Sequence, residues 1–221
     1  MESGAQIDRL IEWLGIAGVA VFAASGALEA SRRQMDIVGF ALIATVTGVG
    51  GGTLRDLLLG IRPVFWVSEP FQVMLCFAVA ALVFFTAHLV EYRFRLLLWA
   101  DAVGLALFCA TGAERALTVG VSGPVAVLMG VMTATFGGIV RDVLCAQVPL
   151  ILRRDIYVTA AAVGAIFYVA LDAADAPRQL AAVGAFLAAF TTRALALTLG
   201  LSLPAYRSRP PRERDPGPGE A

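Results

Sequence analysis

The sequence predicts an all-α integral membrane protein: seven transmembrane helices, arranged as two inverted three-helix repeats plus a seventh helix. Two observations carry that prediction. The 221 residues are 59% hydrophobic and only 15% charged, whereas roughly a quarter of a soluble domain is charged. A stretch around Arg55 also recurs, without gaps, around Arg141. The length suffices for about seven spans of about 20 residues joined by short loops.

The elements follow in order. The opening "MESGAQIDRLIEWLG" carries acids and no basic segment before its apolar run, so residues 10–28 read as a true first span and not a cleaved signal. "EASRRQMD" separates it from a second span at 37–59, and "GIRPVFWVSEP" leads to a third at 70–90. "VEYRFR" precedes 96–115, "ERALTVGVSGP" precedes 123–146, "QVPLILRRD" precedes 155–172, and "DAADAPRQ" precedes 180–200. None of these loops has room for a soluble domain. The end, "LPAYRSRPPRERDPGPGEA", is rich in Pro, Arg and Gly and is expected to be disordered. The organisation expected is a first repeat over 8–92, a second over 93–175, a seventh helix over 178–202 and a cytoplasmic tail over 203–221.

Composition excludes several functions. The formal net charge is zero, so no long-range field favours nucleic acid. All 17 basic residues are arginine, which excludes a Walker A lysine, a Schiff-base lysine and a Ser/Lys dyad. Cys76, Cys109 and Cys145 lie far apart inside apolar runs and read as buried packing thiols. His88, the one histidine, falls at a span end and reads as an interfacial side chain. Ser25 has no histidine base in its span, and Thr53 stands where a dinucleotide-binding loop would place its last glycine. The chain is therefore not expected to be an enzyme or to carry a cofactor or resident metal.

The arginines set the orientation. Ten fall on one side of the seven spans (Arg32, Arg33, Arg93, Arg95, Arg153, Arg154 and four in the tail) and four on the other (Arg9, Arg62, Arg115, Arg178). The positive-inside rule then places the N-terminus outside and the C-terminus in the cytoplasm, as a multi-pass protein of the inner (plasma) membrane. Arg193 lies near the cytoplasmic end of the last span and is expected to snorkel outward. Arg207 to Arg214 read as a solvated tail, their charge diluted by Glu213 and Asp215. Arg55 and Arg141 remain, well inside spans.

Those two are related. "GGTLRDLLLGIRP" (Gly51 to Pro63) returns as "GGIVRDVLCAQVP" (Gly137 to Pro149) at one offset of 86 residues. The same offset carries Arg55 onto Arg141, Asp56 onto Asp142, Thr47 onto Thr133, Gly18 onto Gly104, and "ASGALEA" (Ala24 to Ala30) onto "ATGAERA" (Ala110 to Ala116). Matches at separate places in one register mark a duplication. Three spans per copy is an odd number, so the copies enter the membrane from opposite sides. Such architectures hold their functional site near the midplane, on corresponding Gly-interrupted helices. Here those are the second and fifth spans.

Gly50, Gly51 and Gly52, with their partners Gly137 and Gly138, support two readings. They open the helices and free backbone carbonyls for a partly dehydrated monovalent cation, or they let two backbones approach closely. The first is the expectation taken here. Adjacent helical residues point about 100° apart, so Arg55 and Asp56 are poorly placed to pair with each other. Crossed pairing, Arg55 with Asp142 and Arg141 with Asp56, is one expectation; capping of broken-helix carbonyls by each arginine is the other. Either serves as a clamp, a gate or both. Asp101, whose repeat position is Gly15, attracts cations or lies near the cytoplasmic interface.

The duplicated Gly-Gly-x-x-Arg-Asp, the Ser/Thr-Gly-Ala before it and the three plus three plus one spans resemble prokaryotic members of the trimeric intracellular cation (TRIC) channel family. The resemblance covers roughly residues 8 to 200. It implies a homotrimer with a pore in each subunit, conducting potassium and, less selectively, sodium, and in contact with membrane lipids. It also implies a pore lined by the second and fifth helices, hence by Thr47, Gly50, Gly51, Gly52, Arg55, Asp56, Thr133, Gly137, Gly138, Arg141 and Asp142. Animal members carry a lysine motif and bind phosphoinositide; this chain has no lysine. A secondary transporter of a small solute such as glycine is the alternative, because inverted repeats with broken helices are typical of transporters. A scaffold without transport leaves the charged midplane unexplained.

Overall fold

The computed structural model describes residues 2–89, 92–153 and 156–204, with side chains described at position 9 and from position 11 onward. The expected disorder beyond residue 204 lies outside the described residues. The described chain is almost wholly helical, as expected: α1 (Glu2–Arg32), α2 (Ile37–Leu59), a one-turn α3 (Phe65–Ser68), α4 (Phe71–Thr86), α5 (Arg93–Thr118), α6 (Gly123–Leu144), α7 (Val158–Ala173) and α8 (Arg178–Leu199). Six segments are long and apolar enough to cross a membrane, α4 among them once its 3-10 extension to Leu89 is included. The seventh, α7, is a shorter apolar helix of 16 residues, about 24 Å at 1.5 Å per residue.

Local chemistry explains the boundaries. Asp36 caps α2, its carboxylate accepting from Gly39 N at 2.7 Å, as short oxygen side chains do at helix starts. Gly60 ends α2 in the left-handed region at φ 70°, where glycine carries no Cβ penalty. Pro124 sits in the first turn of α6, where a missing N–H costs nothing. The longest helix, α1, begins well before the expected residue 10.

The halves meet through reciprocal contacts. A Cβ on Gly51 would overlap the Thr133 carbonyl oxygen, and one on Gly137 would overlap that of Thr47. Within each copy, Gly26 stands against the Thr47 side chain and Gly112 against that of Thr133. Phe22 of α1 and Phe108 of α5, equivalent in the repeat, stack edge-on at 5.1 Å between ring centroids. Each contact made by one copy is returned by the other, which is the mark of a two-fold relation. Around this centre α5 is the most enclosed of the apolar spans and α4 the least.

The helices are not broken. α2 runs as continuous α-helix through Gly50, Gly51 and Gly52, and α6 through Gly137 and Gly138. The missing side chains at Gly51 and Gly137 are occupied by the opposite backbone, so close crossing is what these glycines provide. Thr47 and Thr133 turn their hydroxyls back onto their own helices, donating to Ile43 O and Met129 O, each at 2.6 Å.

Candidate functional site

The two Arg-Asp pairs sit near the ends of α2 and α6 and are built alike. Arg55 Nε and Nη2 donate to Asp56 Oδ1 at 2.9 and 2.7 Å, and Arg141 Nε donates to Asp142 Oδ1 at 2.8 Å. Each aspartate's second oxygen accepts a backbone N–H from the segment that follows: Phe65 N on Asp56, and Leu150 N on Asp142, both at 2.9 Å. The aspartate thus ties the returning loop to its helix, and the arginine neutralises it. The expected crossed pairing does not occur. Arginine's flexible stem spans the angle between adjacent positions, and the crossing of α2 with α6 lies at the glycines, about a turn before the charges.

Beyond this shared core the half-sites differ. Arg55 keeps 9% of its surface exposed and borders a cavity of about 370 Å³. That cavity follows α1 from Ile11 and Glu12 past Gly15 to Val19, under Phe65 and Thr111, with Glu69 and Glu114 also in its wall. No heavy atom lies within 4 Å of where a Gly15 Cβ would stand.

Arg141 has no exposed surface. Its Nη1 donates to Asp101 Oδ1 at 2.6 Å and to Ser25 Oγ. Asp101, which replaces Gly15 in the repeat, is 1% exposed and is the second counter-ion of Arg141. Ser25 replaces Thr111, and Tyr157 replaces Phe71. A Cβ on Gly138 would find Tyr157 OH at 3.2 Å, with Arg141 Nη2 and Asp101 Oδ1 both at 3.7 Å. Three groups therefore crowd one notch, and among the described residues Asp101 Oδ2, Arg141 Nη2 and Tyr157 OH are buried without a hydrogen-bond partner. Arg193 also departs from expectation. It is 1% exposed instead of snorkelling, with its guanidinium 5.2 Å from the Tyr157 ring centroid.

Sequence reasoning thus found both Arg-Asp pairs and Asp101 but missed Ser25, Tyr157 and Arg193. A usable signal was present: positions where the two copies disagree in chemistry, Gly15/Asp101 and Phe71/Tyr157, mark the half-site that is filled. Cys76, Cys109 and Cys145 are buried and unpaired, as expected, and His88 is exposed at a helix end, as expected.

Fold and site together define a class: a polytopic helical membrane protein of inverted repeats, with a buried guanidinium–carboxylate pair in each repeat. Comparison with known proteins sharpens it. The family model described as Glycine transporter matches residues 12–88 and 98–173. A Vibrio cholerae UPF0126 membrane protein is 38% identical over 89% of this chain and 83% of its own length. The Escherichia coli UPF0126 inner membrane protein YadS is 39% identical over 89% and 96%. Among solved structures, the TRIC orthologue from Rhodobacter sphaeroides is 56% identical with a TM-score of 0.85, over 87% of this chain and 99% of that one. A second TRIC cation channel structure is 32% identical with a TM-score of 0.82, over 90% and 98%. The chain belongs to this family, whose solved bacterial members are TRIC channels. Its solved neighbours are ion channels and not enzymes.

Proposed function

We propose that the protein is a passive, potassium-permeable cation channel with its own path in each subunit of a homotrimer, and that the path is shut at Arg141. The observation that carries this reading is the inequality of two equivalent half-sites. One arginine opens into a 370 Å³ cavity walled partly by Glu12, Glu69 and Glu114; the other is sealed by Asp101, Ser25 and Tyr157. A conduit entered from one face and plugged near the other is the closed state of a gated path. The names of the solved neighbours, TRIC cation channels, supply the ion class.

The path follows the α2/α6 crossing. Thr47, Gly50 and Gly51 face Thr133 and Gly137 there, Gly52 stands against Phe65 and Gly138 against Tyr157 to either side of the crossing, and Arg55–Asp56 and Arg141–Asp142 flank it on opposite sides. Because the helices are continuous, a cation passing the crossing is solvated by water and by side-chain oxygens rather than by carbonyls released from a helix break. With the N-terminus outside, the open half-site faces away from the cytoplasm and the sealed one faces it. Opening requires the Asp101–Arg141 contact to part and the notch at Gly138 to clear.

The description of the family as glycine transporters favours one competing reading, carriage of a small amino acid. Planar-bilayer recording separates the two. A potassium gradient, then a potassium/sodium bi-ionic condition, is expected to give discrete steps with a cation-directed reversal potential. Asp101→Asn is expected to raise the open fraction. A silent bilayer together with saturable uptake of labelled glycine into liposomes overturns the channel reading.

A further inference from the structure

α8 lies outside the duplication, so the first repeat has no counterpart to it. It packs on α5 and α7, and most of its inward face is alanine: Ala181, Ala182, Ala185, Ala189 and Ala196. The exception is Arg193. A buried arginine in an apolar span is costly and keeps company with specific partners. Two of its contacts fall on the two residues that lead into α7. Nη1 donates to the Ile156 carbonyl at 3.2 Å, and the guanidinium lies over the Tyr157 ring at 5.2 Å. The Tyr157 hydroxyl, at the other end of that ring, occupies the notch beside Arg141 and Asp101.

The first repeat provides a built-in control. Phe71, the repeat equivalent of Tyr157, has neither a hydroxyl nor an arginine behind it and is 60% exposed, whereas Tyr157 is 2% exposed. α8 puts a buried arginine behind the plugged half-site; at the open one it reaches the cavity wall, where Arg178 Nη1 stands 4.0 Å from Glu114 Oε1. We propose that Arg193 is a positioning residue of the gate: it holds Tyr157 against the Asp101–Arg141 pair, so the helix outside the duplication keeps one of two otherwise equivalent half-sites shut. The inference rests on the reading of that cluster as the closed gate. A guanidinium suits the role because it stacks on a ring and donates in its own plane at once.

The test is open probability of the purified full-length channel in planar bilayers, with thermal melting in detergent beside it. Arg193→Met is expected to raise open probability about tenfold, the scale of a desolvated cation–π contact. Tyr157→Leu is expected to match it, because it removes the other end of the same support. Arg193→Lys is expected to fall between, keeping the cation over the ring and losing the planar fork. In an Asp101→Asn background, adding Arg193→Met is expected to change open probability less than about twofold, since the arginine acts through that cluster. A folded Arg193→Met channel with wild-type open probability overturns the inference, as does full additivity with Asp101→Asn. If Arg193→Met does not fold, Arg193→Lys and Tyr157→Leu decide by the same criterion. If Asp101→Asn itself gates like wild type, the gate reading fails. If it opens the channel while the Arg193 variants do not, only the role of Arg193 fails.

Discussion

Arg55 and Arg141 stand at the same position of a duplicated segment and end in different surroundings. Each pairs with the aspartate that follows it, and each aspartate anchors the loop that returns to the membrane. One guanidinium is then left at the wall of a cavity, while the other is enclosed by an aspartate, a serine and a tyrosine supplied by three further segments. Duplication supplies two equal half-sites, and a few substitutions leave one of them open to a cavity and the other enclosed. The glycine crossing between them has stayed symmetric, because each helix needs the other's missing side chain.

The largest effects are expected where the difference is greatest. Arg141→Met leaves Asp101 and Asp142 buried without their cation, and breaking a buried pair by removing one partner costs about 3–5 kcal/mol. Arg55→Met strands only Asp56, at a site bordering a cavity, and loss of a charged hydrogen bond costs about 1.5–3 kcal/mol. Thermal melting of the two variants in one detergent checks the order. Equal losses would mean that Asp101 and Ser25 add nothing to the second half-site.

Exchanging the distinguishing residues sharpens the comparison at the level of function. Asp101→Gly gives the second half-site the residue of the first, and a lost charge-assisted contact of about 1.5–3 kcal/mol corresponds to roughly 10- to 100-fold in a two-state opening equilibrium. Gly15→Asp does the reverse: it places a carboxylate where no atom lies within 4 Å, in the cavity that Arg55 borders. Current through single channels is expected to rise in open fraction for the first variant and to fall for the second. A Gly15→Asp channel with unchanged current would show that the cavity beside Arg55 is not on the conduction path.

The symmetric centre predicts equality instead. Gly51→Ala and Gly137→Ala each push a methyl into the opposite carbonyl, and overpacking of this kind costs about 1–3 kcal/mol. The two variants are expected to melt within about 0.5 kcal/mol of each other, the margin within which independent sites add. Gly15→Ala, in open space, is expected to be neutral. A large inequality between Gly51→Ala and Gly137→Ala would mean that the two-fold relation fails at the crossing.

The sequence made the fold legible because lipid permits few architectures and the repeat fixed its symmetry. It also made the Arg-Asp motif legible, since charge in an apolar span stands out. Pairing was not legible. Whether Arg55 reaches Asp56 or Asp142 depends on how its side chain turns and on where two helices cross, and a one-dimensional pattern holds neither. The glycines misled for a related reason: a helix opened for carbonyls and a helix thinned for contact use the same letters, and only Thr47 and Thr133 on the opposite backbone tell them apart. Arg193 looked able to snorkel by its distance from the span end, yet α7, short and preceded by Tyr157, covers it.

The smallest expected effect concerns the open half alone. Glu12 and Glu69 border the cavity while remaining exposed to solvent, so on the proposed path their charge is expected to act on cations through water. Glu12→Gln and Glu69→Gln together are expected to lower potassium conductance less than twofold at 0.1 M salt, where the screening length is about 10 Å. At 1 M it shrinks to about 3 Å, and the difference from wild type is expected to vanish. The sealed half-site offers the control, because Asp101 and Asp142 are buried against Arg141 and bulk salt screens them little. Variants there keep their altered open fraction at both salt concentrations. A conductance change at Glu12 and Glu69 that persists at 1 M would place those carboxylates inside the narrow path, and the mouth would then extend less deeply toward Val19 than the cavity implies.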